Sequence, residues 1–204
     1  MIKLIRNFND TEVKTAIRDV KDGLIKYKTI MELFRNTDVS KDISFQRKYK
    51  GFYRMRFFID DSIVTYFNFL EKYKNINPKP TFINTLTYFF EVNNKFQYSF
   101  VSKLLATLDP ELPVWDQNVL SLFGKKNPGN WLPKGKKIEE ANEIYNKLIE
   151  WYKHFLTNKE GCNWEKFFDG IHPNSNITPT KKVDFVLWQL GAKIKKNKNG
   201  KANP

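Results

Sequence analysis

The sequence predicts an all-α protein. Apolar residues recur at intervals of three and four along most of the 204 residues, and no segment shows the alternation typical of a half-buried strand. Hydrophobic residues make up 41% of the chain and aromatic residues 16%, which is enough apolar surface for a sizeable core. This length suits one helical domain, expected over residues 1–192, or two lobes with a cleft.

The first helical stripe follows Asn9, a candidate N-cap, and Gly23 is a candidate break within it. The stripe comprises Val13, Ile17, Val20, Leu24, Tyr27, Met31 and Phe34. The clearest helix follows the candidate caps Asp60, Asp61 and Ser62. Its apolar face carries Ile63, Tyr66, Phe67, Leu70 and Tyr73.

Two further helices are expected on either side of a short turn at residues 93–98. The first begins near Thr81 and is expected to bury Ile83, Leu86 and Phe90; the second begins at Ser99 and buries Val101, Leu104, Leu105 and Leu108. Asp116 is placed to cap a fifth helix, and Gly124 is placed to end it in a left-handed conformation.

The C-terminal part begins with a lysine-rich loop, followed by a long helix from Ile138 onwards. Its apolar positions are Ala141, Tyr145, Leu148, Tyr152 and Phe155. Residues 164–168 are expected to add a turn. Thr178 and Pro179 open a last helix, which is expected to end before Gly191, and residues 193–204 form a flexible basic tail.

The charge balance points to a polyanionic partner. The chain has 35 Lys and Arg against 22 Asp and Glu, a net charge of +13, so nucleic acid is the first candidate. A single Cys cannot form an internal disulfide, and with two His it is a poor set of zinc ligands. We therefore expect no metal and no cofactor. Without an apolar leader or a span of about 20 uncharged residues, we expect a cytoplasmic protein that does not enter a membrane. We also expect it to act as a monomer.

The most informative stretch runs from residue 99 to residue 119. A helix carrying Lys103 leads through two prolines to the sequence P-V-W-D-Q-N-V at residues 113–119, in which Asp116 opens the next helix. This arrangement resembles the helix-hairpin-helix DNA glycosylases of the HhH-GPD type, with residues 81–124 as the shared centre. Asp116 matches the aspartate of that family, and Lys103 falls approximately at its lysine.

The resemblance implies that this chain flips a damaged or modified base out of double-stranded DNA and cleaves its N-glycosidic bond. Asp116 would stabilise positive charge on the sugar or take a proton from the nucleophile. In one alternative Lys103 is the nucleophile, which forms a Schiff base with the sugar and gives the protein AP lyase activity as well. In the other, water is the nucleophile and Lys103 provides a positive charge near the reacting sugar. Oxidised purines, alkylated purines and hypermodified phage pyrimidines all remain open as substrates, the last implying an antiviral role.

Each of these residues also has an ordinary structural interpretation. An aspartate at a helix start is most often an N-cap, and Lys103 suits a solvated or phosphate-contacting lysine. Trp115, together with Tyr53 and Asn118, is a candidate for the base pocket, but a tryptophan before a helix start is more often core packing. A DNA-binding module without catalysis is the alternative function, and a helical protein that binds an acidic protein is a weaker one.

A second basic region, residues 45–57, interleaves cations with aromatic side chains. The cations would contact phosphates while the rings stack on an extruded base. The alternative is a helix with a buried aromatic face and a solvated basic one. The candidate DNA-binding residues are Arg47, Lys48, Arg54 and Arg56 here, and Lys125 and Lys126 in the later loop.

Three C-terminal carboxylates, Glu165, Asp169 and Asp184, are expected to be surface or capping groups. Asp184 follows Lys181 at helical spacing, so the two are expected to form a local charge pair.

Overall fold

The computed structural model describes the backbone of residues 2–55 and 60–200, and the side chains of residues 2–55 and 62–197. Within these ranges all regular secondary structure is helical, which confirms the predicted class. Ten helices occur in this part of the chain: α1 (Asp10–Arg18), α2 (Lys21–Asn36), α3 (Ile43–Phe52), α4 (Asp60–Tyr73), α5 (Phe82–Asn93), α6 (Tyr98–Leu108), α7 (Gln117–Ser121), α8 (Lys134–Thr157), α9 (Lys159–Ile171) and α10 (Pro179–Gly200). No helix among the described residues is both long and apolar enough to cross a bilayer.

The helices form two compact units. The discontinuous unit consists of residues 1–21 and 110–204, and the continuous unit consists of residues 22–109. The predicted centre, residues 81–124, is therefore divided: α5 and α6 belong to the continuous unit, and Asp116 with α7 belongs to the discontinuous one.

In the discontinuous unit, α1 packs against α9 and α10, and its buried face is Val13, Ala16 and Ile17. Asn9 caps α1 as predicted, in a reciprocal arrangement with Glu12. The C-terminal helices also bind the backbone at the end of α1. A ring nitrogen of His172 lies 2.7 Å from the carbonyl oxygen of Ile17.

The first apolar stripe is two helices, and the expected break at Gly23 is wrong. α1 ends at Arg18, α2 begins at Lys21, and Gly23 lies inside α2. The division between the two compact units falls between residues 21 and 22. The apolar spacing continues through this boundary because both helices bury a face, each in its own unit.

The last helix does not end before Gly191. α10 continues to Gly200, so the part of the expected flexible tail at residues 193–200 is helical, and residues 201–204 lie outside the described part. Gly191 is required for a different reason. A Cβ atom at this position would lie 2.2 Å from the backbone oxygen of Asn118, so the glycine allows α10 to pack closely on α7.

In the continuous unit, aromatic side chains of α3, α4 and α5 pack together in the core, next to α6. The hydroxyl of Tyr49 lies 2.9 Å from that of Tyr66, which donates to the carbonyl oxygen of Phe100. Of the burial expected for α5, Leu86 is confirmed, but Ile83 and Phe90 are only half-buried, and their neighbours Phe82 and Phe89 are buried instead. α6 is buried at every position from 101 to 108, including all four leucine and valine positions predicted.

The start of α7 and the conformation of Gly124 agree with the prediction, whereas α8 and α9 are longer than expected. Asp116 caps α7, and Gly124 follows it with φ +63°, as predicted. α8 starts at Lys134, so three lysines assigned to the loop (Lys134, Lys136 and Lys137) lie on its first turn. The turn expected at residues 164–168 is part of a complete helix, α9.

Replacing Gly191 with Ala is expected to lower the free energy of unfolding by about 1–3 kcal/mol, because the added methyl group meets the Asn118 carbonyl. Gly170→Ala in α9 is the matched control, since a Cβ atom added there would have no neighbour within 4 Å, and it should leave stability unchanged or raise it. Thermal unfolding followed by circular dichroism measures both. Equal melting temperatures for the two variants would contradict the close packing of α10 on α7.

Candidate functional site

Asp116 lies at the N-cap of α7 in the discontinuous unit. Its backbone is extended, and its side chain accepts a hydrogen bond of 2.8 Å from the backbone N–H of Asn118. The residue is half-buried, so part of it faces solvent while the rest is fixed by the helix start. The carboxylate therefore has a set orientation and an accessible face.

The chain immediately before Asp116 is held from two sides. The hydroxyl of Tyr145, on α8, donates to the carbonyl oxygen of Pro113 over 2.9 Å. The backbone N–H of Val114 faces the carboxylate of Asp184, on α10, at 3.3 and 3.4 Å from its two oxygens. Both contacts are buried, so water does not compete for them.

Asp184 is a buried carboxylate with several hydrogen-bond partners. The prediction that it is a surface or capping group is wrong. Only 6% of the residue is exposed. The predicted pair with Lys181 is confirmed, at 2.8 Å from Nζ to Oδ2, but Lys181 is itself only 4% exposed. The hydroxyl of Tyr152 donates to Oδ1 over 2.5 Å. Three donors from α8, α10 and the segment before α7 thus converge on one buried carboxylate.

The pKa of the Tyr152 hydroxyl is raised well above its ordinary value. Burial is the largest cause, and the negative charges of Asp184 and Asp116 add to it. The hydroxyl therefore stays protonated and remains a donor to Asp184.

Trp115 is fully buried, and its indole N–H donates to the side-chain oxygen of Asn127 over 2.9 Å. The ring is core packing in this structure and offers no exposed face to a base. The same Asn127 oxygen accepts from the side-chain amide of Gln117 over 2.7 Å. Asn127 therefore ties the loop after α7 to both sides of Asp116.

Asn118 is half-buried at the first turn of α7, where its backbone oxygen faces Gly191. Of the two lysines predicted in the following loop, Lys126 is exposed and Lys125 is half-buried. All of these residues belong to the discontinuous unit, as Asp116 does.

Lys103 belongs to the continuous unit, on α6. It is 7% exposed, and its ammonium donates to the carbonyl oxygen of Tyr53 over 3.1 Å. The same nitrogen lies 5.3 Å from the ring centre of Phe100 and 5.8 Å from that of Tyr53. In this conformation Lys103 is an interior group that stabilises the end of α3, and neither a solvated nor a phosphate-contacting lysine.

The second basic region also lies in the continuous unit, on and after α3. Arg47, Lys48 and Arg54 are exposed, as phosphate-contacting residues must be. Tyr53 is buried, and its ring packs 4.7 Å from that of Tyr49, so it belongs to the aromatic core. Arg56 lies outside the described residues.

Sequence reasoning missed the buried supporting residues of the Asp116 site. Tyr145 and Tyr152 were placed on the apolar face of α8, but their hydroxyls meet partners far along the chain. The spacing of Lys181 and Asp184 in the sequence predicts that they pair. Nothing in the neighbouring sequence indicates that the pair is buried. Nothing in the sequence around Asn127 marked it as the partner of Trp115.

In comparisons with known proteins, no family model, no curated protein and no solved structure matches this chain.

Asp184→Asn is expected to lower the free energy of unfolding by about 3–5 kcal/mol, because it leaves the ammonium of Lys181 buried without its counter-charge. Denaturant unfolding measures the loss. The double variant Lys181→Met/Asp184→Asn, which removes both charges, should lose less free energy of unfolding than Asp184→Asn alone. Asp169→Asn is the control, since that half-exposed carboxylate pairs with Lys182 and should change stability by at most about 1 kcal/mol. Equal losses in Asp184→Asn and Asp169→Asn would contradict the buried network.

The buried tyrosines are expected to make the fold sensitive to alkali. Burial raises the pKa of Tyr49, Tyr66 and Tyr152 in the folded state above the ordinary 10.0. Their contribution to stability is therefore complete below about pH 10 and is lost as the pH rises above it. Ultraviolet absorbance of tyrosinate should show these three groups ionising only as the protein unfolds. Tyr152→Phe should reduce the number of tyrosines that ionise only when the protein unfolds. Tyr88→Phe, at an exposed position, should leave that number unchanged.

Proposed function

We propose that this protein is a DNA glycosylase of the helix-hairpin-helix type that excises a damaged or modified base from duplex DNA. The observation that carries the proposal is the half-buried carboxylate of Asp116 at the start of α7, behind a segment fixed by Tyr145 and Asp184. A carboxylate whose orientation is set before the substrate binds is suited to stabilising developing positive charge. The pair α5 and α6, joined by a turn of four residues, adds to the likeness.

In the proposed reaction, water attacks C1′ of the deoxyribose while the bond from C1′ to the base nitrogen breaks. The electron pair of that bond leaves with the base, which takes up a proton from solvent. Asp116 stabilises the positive charge on the sugar and accepts the proton that the attacking water loses. It then releases this proton, so the reaction consumes one water and requires no cofactor.

Water, and not Lys103, is the nucleophile in this proposal. A Schiff base requires an accessible, neutral amine, and the amine of Lys103 is buried against the Tyr53 carbonyl and two aromatic rings. The protein would then be a monofunctional glycosylase without AP lyase activity.

The charge of the protein supports DNA as the substrate. The net charge of +13 favours a polyanion, and the cations Arg47, Lys48, Arg54 and Lys126 are exposed at the surface, where phosphates are contacted. The classes of base proposed are oxidised purines, alkylated purines and hypermodified phage pyrimidines.

Asp116→Asn is expected to lower base release by about 100-fold or more, because the amide neither carries the charge nor accepts the proton. Mass spectrometry of free bases from oxidised DNA, alkylated DNA and phage DNA with natural base modifications measures this release. Asp42→Asn is the matched control: Asp42 is the N-cap of α3, and Asn caps a helix as well as Asp does. Borohydride should trap no adduct with wild-type protein, and a trapped adduct lost in Lys103→Met would overturn the assignment of water.

A DNA-binding module without catalysis is the second candidate, and one observation favours it. The carboxylate of Asp116 accepts the backbone N–H of Asn118, which is the ordinary work of an N-cap. Salt-sensitive binding to DNA without release of any base, equal in wild type and Asp116→Asn, would establish this function instead.

A further inference from the structure

Trp131 is the most exposed of the large hydrophobic residues in the described part of the chain. It is 86% exposed, whereas Trp115, Trp151 and Trp164 are buried. Exposing an indole of this size to water is unfavourable, and tryptophan is typical of binding surfaces whose partner covers the ring. The residue therefore marks a contact surface.

The backbone holds the Trp131 ring flat against a tight turn. The N–H of Leu132 donates to the carbonyl oxygen of Gly129 over 3.2 Å, which closes the turn. A Cβ atom on Gly129 would lie 2.4 Å from the indole ring, so the ring rests directly on the glycine backbone. One face of the indole thus packs on the backbone of Gly129. The opposite face is exposed and is able to stack on a planar group of a ligand.

The segment that carries Trp131, residues 117–138, contains basic residues and no acidic one. No Asp or Glu occurs between Asp116 and Glu139, and this interval contains five lysines: Lys125, Lys126, Lys134, Lys136 and Lys137. Lys126, Lys134 and Lys136 are exposed, and Lys136 pairs with Glu139 over 3.0 Å on the surface of α8. Next to Trp131 in the chain, Leu132 is half-buried, and Trp131 is the only large hydrophobic residue of the segment with an exposed side chain. A single exposed ring among lysines fits a base with its phosphates better than the wider apolar core of a protein interface.

The loop that carries Trp131 is also tied to the Asp116 site. Asn127, four residues earlier, accepts hydrogen bonds from Trp115 and Gln117, the two neighbours of Asp116. At the other end, Pro133 is the N-cap of α8, whose Tyr145 holds the chain before Asp116. A ligand on Trp131 is therefore bound by an element anchored to the candidate site at both ends.

We infer that Trp131 stacks on an unpaired base of the DNA, while the lysines beside it contact the flanking phosphates. The identification of the ligand as DNA rests on the proposed function. A base is available for stacking on the indole face only where it has left the double helix. The surface therefore selects DNA with an unpaired nucleotide over uninterrupted duplex, in addition to the non-specific attraction of the lysines.

Trp131→Ala is the direct test, with fluorescein-labelled duplexes that either contain one bulged thymidine or are fully paired. Loss of one stacked base should weaken binding to the bulged duplex by roughly 5- to 150-fold, measured by fluorescence anisotropy. Binding to the paired duplex should change by less than about twofold, because phosphate contacts provide it.

Three further variants separate stacking from other effects. Trp131→Phe keeps an aromatic face and should retain most of the binding to the bulged duplex. Gly129→Ala forces the ring away from its support and should weaken that binding to an intermediate extent. Ile25→Ala removes an exposed apolar residue from the continuous unit and should have no effect. All four variants should melt at the wild-type temperature, because neither exposed side chain contributes to a core.

Several results would overturn the inference. Unchanged binding of Trp131→Ala to the bulged duplex would do so, as would equal losses on bulged and paired duplexes. A larger loss of binding to polyglutamate than to either duplex would indicate an acidic protein as the partner. Because binding is measured without base release, selective loss in Trp131→Ala supports this surface even if the protein excises no base.

Discussion

The buried carboxylate of Asp184 determines the arrangement of the candidate site. It accepts hydrogen bonds from a hydroxyl on α8 and an ammonium on α10, and it faces the backbone N–H of Val114. Since Val114 lies two residues before Asp116, this contact holds the segment that leads into α7. The site is therefore positioned by long-range polar contacts within the discontinuous unit, and α7 itself has only five residues with which to stabilise its position.

A buried ion pair of this kind is rarely the most stable solution, because two charges must be removed from water. An apolar pair in place of Lys181 and Asp184 would fill the same space without that desolvation. It would not, however, accept the hydroxyl of Tyr152 or face the N–H of Val114. The carboxylate of Asp184 interacts with donors from α8, α10 and the segment before α7 at the same time. It therefore favours one arrangement of these three elements over others.

Local sequence pattern predicts the helical class and most helix faces, but not every helix boundary and not the buried contacts of the site. The spacing of apolar residues in α4, α6 and α8 and the caps Asn9 and Asp116 depend on near neighbours, and these were predicted correctly. The role of Gly191 and the burial of Asp184 depend on partners about 70 residues away in sequence, at Asn118 and Val114. The break between α1 and α2 was misplaced for the same reason, since it marks a boundary between units that periodicity does not reveal.

The discontinuous unit has a consequence for the order in which the protein folds during synthesis. α1 is synthesised before the continuous unit, but the helices that cover its apolar face, α9 and α10, are synthesised after that unit. The continuous unit lies wholly between them and is able to complete its core while α1 still has no partner. Val13, Ala16 and Ile17 therefore lack the helices that cover them until α9 and α10 have been synthesised, so the packing of α1 is a late step of folding on the ribosome.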